Sequence, residues 1–308
     1  MADFNVNMTG TVQVDDSIKV DYESDFIIEY GQNNIVDQFV EFDRQIGASA
    51  LSFPRYSLLS LATTPLTERA QAEAEAMADS EILITPEEYG NVITSTKLAD
   101  LQTGGRSSRA AVALVGQNMG QTRNALATQA LEATTNAIIP GAGTEAGLLA
   151  GDVMTGAVLN KVYNKMARAN VPTIGGLYIA FMHDDVIHDL REAAAAGSWQ
   201  EVSKYNNEQP VLANEVGIYK GFRIMRNNHA TVGADAGASA VDSYTSTFLG
   251  ANGLGLAESM MPSLVVTGPF DNLNRFVNVG WYGVFNYKII ESAAVYKALT
   301  ASSVGDNA

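Results

Sequence analysis

Cysteine is absent from the 308-residue sequence. That excludes disulfides, thiolate-bound zinc and a cysteine nucleophile, and it fits folding in a reducing cytoplasm. No stretch approaches the ~20 consecutive apolar residues that a membrane helix requires. The first residues, MADFNVNMTGTVQVDDSIKV, carry neither a basic start nor an apolar run, so no signal peptide is expected there. The chain is expected to be soluble, with no membrane partner. Positive charge is scarce: 19 Lys and Arg stand against 34 Asp and Glu, a net charge of −15. Such a chain does not hold nucleic acid by general attraction, because neutralising phosphates takes cations in excess, although it can enclose it. Histidine is limited to three residues, and neither a G-x-S-x-G elbow nor a G-x-x-x-x-G-K-[ST] phosphate loop occurs. What is present is the material of a core: 46% hydrophobic residues, enough for one large domain or two moderate ones.

The first 45 residues are acidic and loosely patterned. Ile35, Phe39 and Phe42 fall at helical spacing, so a short amphipathic helix is expected over 34–44, in an otherwise extended arm that needs a partner surface. Strands are expected at 56–61, 81–85 and 89–96, punctuated by Pro54, Pro65 and Pro86. Between the first two lies TERAQAEAEAMA, rich in helix formers but without an apolar stripe. The whole reads as a long two-stranded arm whose polar tip has no core of its own. After Gly104-Gly105, a proline-free run predicts one long helix over 106–137, with Val112, Val115, Met119, Leu126 and Ala130 on its apolar face. Gly116 and Gly120 suggest a kink or close approach there. Beyond Pro140 helices and strands alternate: a helix at 155–168, a strand at 176–183, a helix at 184–197, a hairpin turning at Lys220-Gly221, and strands at 244–249, 263–266 and 277–290.

Two stretches invite a chemical reading. In IIPGAGTEAGLLAG (138–151), Gly141, Gly143 and Gly147 evoke a dinucleotide loop, whose glycines let the backbone approach a pyrophosphate. The preceding element reads as helix, and no Asp or Glu lies between Val153 and His183 to hold a ribose, so a turn into a helix capped by Thr144 is the better reading. HDDVIHD (183–189) gathers two His and three Asp. On a helix, however, His183 and His188 diverge by ~140°, and an acidic start that suits the helix dipole accounts for the stretch. Lys161, Lys165 and Arg168 form a solvated basic stripe. Neither an enzyme nor a cofactor, metal or catalytic residue is expected.

The order of elements resembles the major capsid proteins of tailed bacteriophages, with the Hong Kong 97-type fold. SFPRYSLLSLATTPLTE and ITPEEYGNVITSTKLADL resemble the two limbs of that family's extended loop, and 106–135 its spine helix. NVPTIGGLYIAFMHDDVIHDLRE resembles a shared segment, with Asp184 where proline is frequent. YKGFRIMRNN and SLVVTGPFDNLNRFVNVGWYGVFNYKIIESAAVYKALTAS resemble the strands that come next in that family.

The resemblance implies an α+β fold divided into an N-terminal arm (1–45), an extended two-stranded loop (46–103), the spine helix of a peripheral domain (104–137), an axial domain (138–262), and closing strands with the tail (263–308). It implies a structural coat protein that self-assembles as hexamers and pentamers into an icosahedral shell around DNA, without sequence-specific binding. A scaffolding protein, a portal and minor or decoration proteins are the implied partners, with assembly in the host cytoplasm and a place in the virion. The arm is expected to be too short for a cleaved assembly domain, which leaves either a separate scaffolding protein or a chain already in its mature form. Intersubunit contacts are expected at Arg55, Pro65, Glu68, Arg69, Glu87, Glu88, Arg106 and Arg109. Two rivals are an encapsulin-like bacterial compartment holding a cargo enzyme and a nucleotide-binding enzyme.

Overall fold

A computed structural model describes residues 34–44, 49–56, 59–61, 63, 65, 74–141, 143–193, 214–268, 272–273 and 275–304. A single 3-10 turn, Val36–Phe39, opens the described chain and runs into strand β1 (Glu41–Arg44). The helix expected over 34–44 is therefore half turn and half strand. Phe39 packs edge-on against Phe181, but Phe42 is exposed on a strand, where the helical spacing no longer applies. Strands β2 (Leu51–Tyr56) and β3 (Asp79–Ile84) form a separate antiparallel hairpin. Its first limb begins five residues earlier than expected, because Leu51 and Phe53 alternate into a small core with Ile84, Ala257 and Ile290. Next comes strand β4 (Glu87–Thr96), the strand expected at 89–96, and then helix α1 (Lys97–Thr103), which the sequence reading missed. Thr96 caps α1, and Gly104 ends it in the left-handed conformation.

Helix α2 (Arg106–Glu132) is the expected spine helix. Its buried residues form two four-residue rows, Ala111-Val115-Met119-Arg123-Ala127-Leu131 and Val112-Gly116-Gly120-Asn124-Thr128. A row of step four precesses ~40° per step. The helix therefore turns its buried side along its length, from β4 and its neighbours toward a second sheet. Leu126 and Ala130 are only half-buried; the buried side passes instead through polar Arg123, Asn124 and Thr128.

After the short strand β5 (Ala137–Ile138) come helix α3 (Gly156–Arg168), strand β6 (Tyr178–Met182) and helix α4 (Asp184–Glu192). In α3, Val158, Leu159, Val162 and Met166 are buried, and Lys161, Lys165 and Arg168 face solvent. Strands β7 (Glu215–Tyr219) and β8 (Phe222–Arg226) form the expected hairpin. Lys220 and Gly221 both have positive φ, the signature of a type I′ turn, and a Cβ on Gly221 would meet the Tyr163 ring at 2.6 Å. Strands β9 (Val232–Gly233), β10 (Ser243–Leu249), β11 (Leu254–Thr267), β12 (Phe276–Ile289) and β13 (Val295–Thr300) complete the chain.

Two main sheets result. The four-stranded one has the order β1-β11-β12-β4, with β1 parallel to β11 and the other pairs antiparallel. The seven-stranded one has the order β5-β13-β10-β6-β8-β7, with β9 beside β10. One hydrophobic cluster joins α2 to faces of both sheets; another lies among α3, α4 and the seven-stranded sheet. The boundary expected at 262 falls inside β11, where Pro262 sits at a register shift, and Gly283 opposite leaves room for its ring. β13 pairs with β10 rather than with β12.

Candidate subunit interface

Among the described residues the β2–β3 hairpin is anchored at its root and by one ion pair further out, Arg55 with Glu291. Leu51 and Ile84 are buried at the root, and Lys288 and Asn286 of β12 donate to the carbonyls of Leu83 and Thr85 at 3.0 and 2.9 Å. Outward, Tyr56, Leu59, Leu61 and Met77 are exposed, Leu61 at 87%. Within the described residues the two limbs are tied there by Glu75, which accepts from the Ser60 hydroxyl (2.6 Å) and amide (3.1 Å). These bonds, the hydroxyl first, hold the Glu75 carboxyl below its ordinary range. The tip, read from its sequence as mobile or marginally helical, lies mostly outside the described residues; residues 74–78 have no regular secondary structure.

The expected contact residues fall in different places. Arg55 is engaged within its own chain by Glu291 at 2.5 Å. Pro65 is exposed; Glu68 and Arg69 lie outside the described residues. Glu87 and Glu88 begin β4, where Glu87 accepts from the Tyr89 hydroxyl at 3.0 Å. Glu88 raises the Tyr282 pKa, second to that residue's desolvation. Arg106 and Arg109 are exposed on the first turn of α2. Asp100 is occupied nearby by the hydroxyls of Ser108 (2.6 Å) and Ser107 (3.0 Å); chiefly the first lowers its pKa, and the two bonds pin α1 to α2.

Beneath this surface lies a clamp that sequence reasoning missed. The Arg123 guanidinium, its side chain 4% exposed, pairs with Asp37 at 2.8 Å and Glu258 at 3.3 Å and covers the Phe285 ring at 4.9 Å. Arg123 Nε donates to the Tyr287 hydroxyl (3.1 Å), which donates to Asp37 (2.5 Å). At the next position, Asn124 Oδ1 accepts from the amides of Ile35 and Val36, each at 3.3 Å. Asn124 Nδ2 donates to Asn227 (2.9 Å), and Asn227 to Thr128 (2.8 Å). The 34–44 strap, the spine helix, β11, β12 and the end of β8 thus meet in one buried polar network. Charges so placed need partners, and here each finds them. The available signal was an Arg-Asn pair at positions continuing the apolar rows of α2.

The stretches that invited chemistry are occupied by structure. Gly141 and Gly143 have positive φ, but a Cβ on Gly141 would meet the Asp152 carboxylate at 2.3 Å. An anionic side chain therefore stands where a pyrophosphate would have to approach. The element before the turn is the two-residue β5, and the element after it is a 3-10 turn, Glu145–Gly147; Thr144 precedes that turn without a capping bond. In HDDVIHD, His183 accepts from the Asp185 amide, Asp184 pairs with Arg226 at 2.6 Å, and buried Asp189 holds Ser303. Among the described residues no three His, Asp or Glu side chains come together as a metal site.

An anchored root beneath an exposed arm, and a strap clamped along a spine helix, describe a molecule built around its surfaces. A family model described as phage capsid protein matches residues 22–262. The chain belongs to the phage capsid protein family. No curated protein sequence matches it. Among solved structures it is similar to the capsid of Ralstonia phage GP4, at 14% identity and a TM-score of 0.73, over 89% of this chain and 92% of that one. It is similar to the cyanophage Pam1 capsid at 12% identity, TM-score 0.66, over 88% and 92%. A virus-like particle from Pyrococcus furiosus shares 9% identity, TM-score 0.56, over 91% and 98%. The fold is the Hong Kong 97-type capsid fold, and this phage capsid protein is structural, not an enzyme. Its place is the virion capsid. Among the described residues no helix is long and apolar enough to cross a membrane.

Proposed function

We propose that this capsid protein is the major shell subunit of a tailed double-stranded-DNA phage, closing as hexamers and pentamers into an icosahedral shell assembled in the host cytoplasm. The observation that carries the reading is the β2–β3 arm: apolar side chains continue outward past the last residue its own chain covers. Such an arm is buried on a neighbour, and many modest contacts around closed rings add up by multivalency. On this reading Pro65, Glu68 and Arg69 lie at the arm's contact with an adjacent subunit, and Glu87, Glu88, Arg106 and Arg109 form a charged rim. Arg55 contributes the donors that Glu291 leaves over. The four-stranded sheet with α2 is the peripheral part, and the seven-stranded sheet with α3 and α4 is the axial part lining ring centres. A scaffolding protein, a portal and decoration proteins are the partners of such a shell, and its acidity lets DNA enter without sticking.

Negative-stain microscopy with sedimentation of the purified chain tests this. Closed shells of uniform size are expected, and deleting Thr67 to Asp79 leaves a folded monomer that assembles poorly. Normal shells from the deletion would sink the role given to the arm. An encapsulin-like compartment is the second reading, and the family match supports it less than the phage shell. A co-purifying cargo protein supports it; co-purifying DNA or a portal supports the phage shell.

A further inference from the structure

β4 is the outer strand of the four-stranded sheet, paired along its length with β12. Among the described residues no strand pairs with its other side. Edge strands are ordinarily blunted by charge, proline or brevity. From Tyr89 to Thr96 this one has neither charge nor proline, and its composition favours strand pairing. Residues 90–94 are all exposed, Val92 at 59%.

The direction of each backbone group along this edge follows from one bond. The Lys97 amide donates to the Arg275 carbonyl at 2.8 Å, in continuation of the β4–β12 register. In an antiparallel ladder such bonded pairs recur at every second residue. Tyr89, Asn91, Ile93 and Ser95 therefore turn their amides and carbonyls toward β12, and Glu88, Gly90, Val92, Thr94 and Thr96 turn theirs outward. The Val92 amide, with no strand beside it, donates to the side-chain oxygen of its neighbour Asn91 at 2.9 Å.

The charges match a reversed copy of the same strand. Glu87 stands before the uncharged stretch and Lys97 after it, at equal distances from Val92. A two-fold axis perpendicular to the sheet at Val92 lays a second β4 antiparallel to the first. Val92 then pairs with Val92, Gly90 with Thr94 and Glu88 with Thr96, all of them outward-facing, and Glu87 stands opposite Lys97 at both ends. An axis at Asn91 or Ile93 also pairs outward residues, but it sets Glu87 opposite Ser95 or Ala99. The charges thus select Val92, acting on register more than on affinity. On the α2 face, exposed Leu114 and the groove it shares with Ile93 come to lie on either side of the axis.

We propose that two copies of this chain join β4 to β4 about a two-fold axis at Val92, making one continuous sheet from two chains. The inference rests on the shell reading. Contacts around a ring are head-to-tail, whereas a self-complementary edge suits the junction between one ring and the next.

Because native cysteine is absent, single substitutions read the register. Across a two-fold axis a residue meets its own counterpart only at the axis, where bonded partners lie ~5.5 Å apart at Cα, within disulfide range. Val92→Cys is expected to give disulfide-linked dimers in oxidised shells recovered by sedimentation, and none in the unassembled chain. Tyr89→Cys or Ser95→Cys alone separates the two thiols by about 20 Å along the strands, so neither links. Both in one chain do link, because Tyr89 of each copy faces Ser95 of the other. Shells in which Val92→Cys stays monomeric on non-reducing gels, or in which Tyr89→Cys or Ser95→Cys alone links as readily, overturn the proposal and leave the shell reading standing. Where a cysteine variant forms no shells, charge decides. Glu87→Lys and Lys97→Glu should each raise the concentration threshold for shells in light scattering, and the two in one chain should bring it back. Singles at the wild-type threshold, or a double variant no better than either single, overturn the proposal. A wild-type chain that never forms shells overturns the shell reading, and this one with it.

Discussion

The strap at 34–44 and the β2–β3 arm are near neighbours in sequence, and both carry more acid than base. In the fold they part company. The strap's only acid on its 3-10 turn, Asp37, reaches a buried arginine and a buried tyrosine. Among the described residues of the arm, Glu75 binds Ser60 and Glu81 binds Ser52, exposed groups of the arm itself. A polar segment is fixed to its own chain when its charges complete a buried network, and left for another chain when they do not. On the proposed reading, stability resides in the strap and assembly in the arm.

The sharpest way to break this contrast is at Arg123. Arg123→Met leaves Asp37 and Glu258 near or in the interior without their cation, and breaking such a pair costs about 3–5 kcal/mol. Urea unfolding of the unassembled chain should show the loss, and adding Asp37→Asn should recover part of it as a coupling between the two sites. If Arg123→Met unfolds at the wild-type midpoint, the network contributes nothing and the distinction between strap and arm collapses.

Tyr287→Phe is gentler. It removes the hydroxyl that bridges Arg123 and Asp37, and a hydrogen bond to a charged group is worth about 1.5–3 kcal/mol. The substitution also carries a pH signature. Desolvation first, and the Asp37 charge second, push the Tyr287 pKa well above its ordinary value. A group whose pKa is raised by folding lends its full support below the unfolded pKa, and that support is lost as pH rises beyond it. Wild-type stability should thus fall above pH ~10, where unfolded tyrosine ionises. In the phenylalanine variant that fall should be shallower; identical alkaline slopes would mean that Tyr287 ionises freely.

How far the sequence foretold this differs from element to element. The spine helix, the hairpin at Lys220-Gly221 and the amphipathic α3 were legible because local chemistry determines them: length without proline, a left-handed pair, a clean 3.6 period. The buried side of α2 was not, since an apolar-face rule steers away from Arg123, Asn124 and Thr128, and only their partners, 86 to 164 positions away, justify burying them. The strap looked helical because Phe42 falls at the right spacing, whereas pairing with Gly255–Glu258 of β11 makes it a strand. The first half of β11 was lost in GANGLGLAE, whose glycines suit close packing: a Cβ on Gly255 would meet Ile290 at 2.5 Å. Glu87, Glu88, Arg106 and Arg109 are exposed charged positions in the fold, but a contact belongs to two chains and a single chain does not display it.

The arm should behave in the opposite way to the clamp. Leu61→Ser alters a side chain almost wholly in solvent, so its effect on monomer stability stays within about 0.5 kcal/mol. Its effect on assembly should be large: a higher concentration threshold for shells in light scattering, with no change in the urea midpoint. Leu51→Ala, at the root, should do the reverse and cost about 2–5 kcal/mol, the usual penalty for a buried leucine. Were both substitutions to lower stability equally, the arm would be part of the core and not a surface for a neighbour.

The smallest expected effect lies in the tie between the arm's limbs. Glu75 has its pKa lowered by the Ser60 hydroxyl and then the Ser60 amide, against slight desolvation. A carboxylate whose pKa is depressed on folding lends support above its unfolded pKa, and that support is lost as pH falls through the folded value. The limbs should therefore loosen on the acid side, below the ordinary carboxylate range of about 4, while the clamp loses the support of Tyr287 at the alkaline end. Because Glu75 is fully exposed, water replaces much of what the bond supplies, and global unfolding should not register it. Exchange of the Ser60 amide should: its protection falls as Glu75 takes up a proton, and Ser60→Ala shifts the Glu75 titration back toward the value of a free glutamate. A Ser60 amide whose protection is flat across the acid range would mean that the limbs are held together by backbone pairing at the root alone, and that everything beyond Tyr56 waits for the neighbour to give it shape.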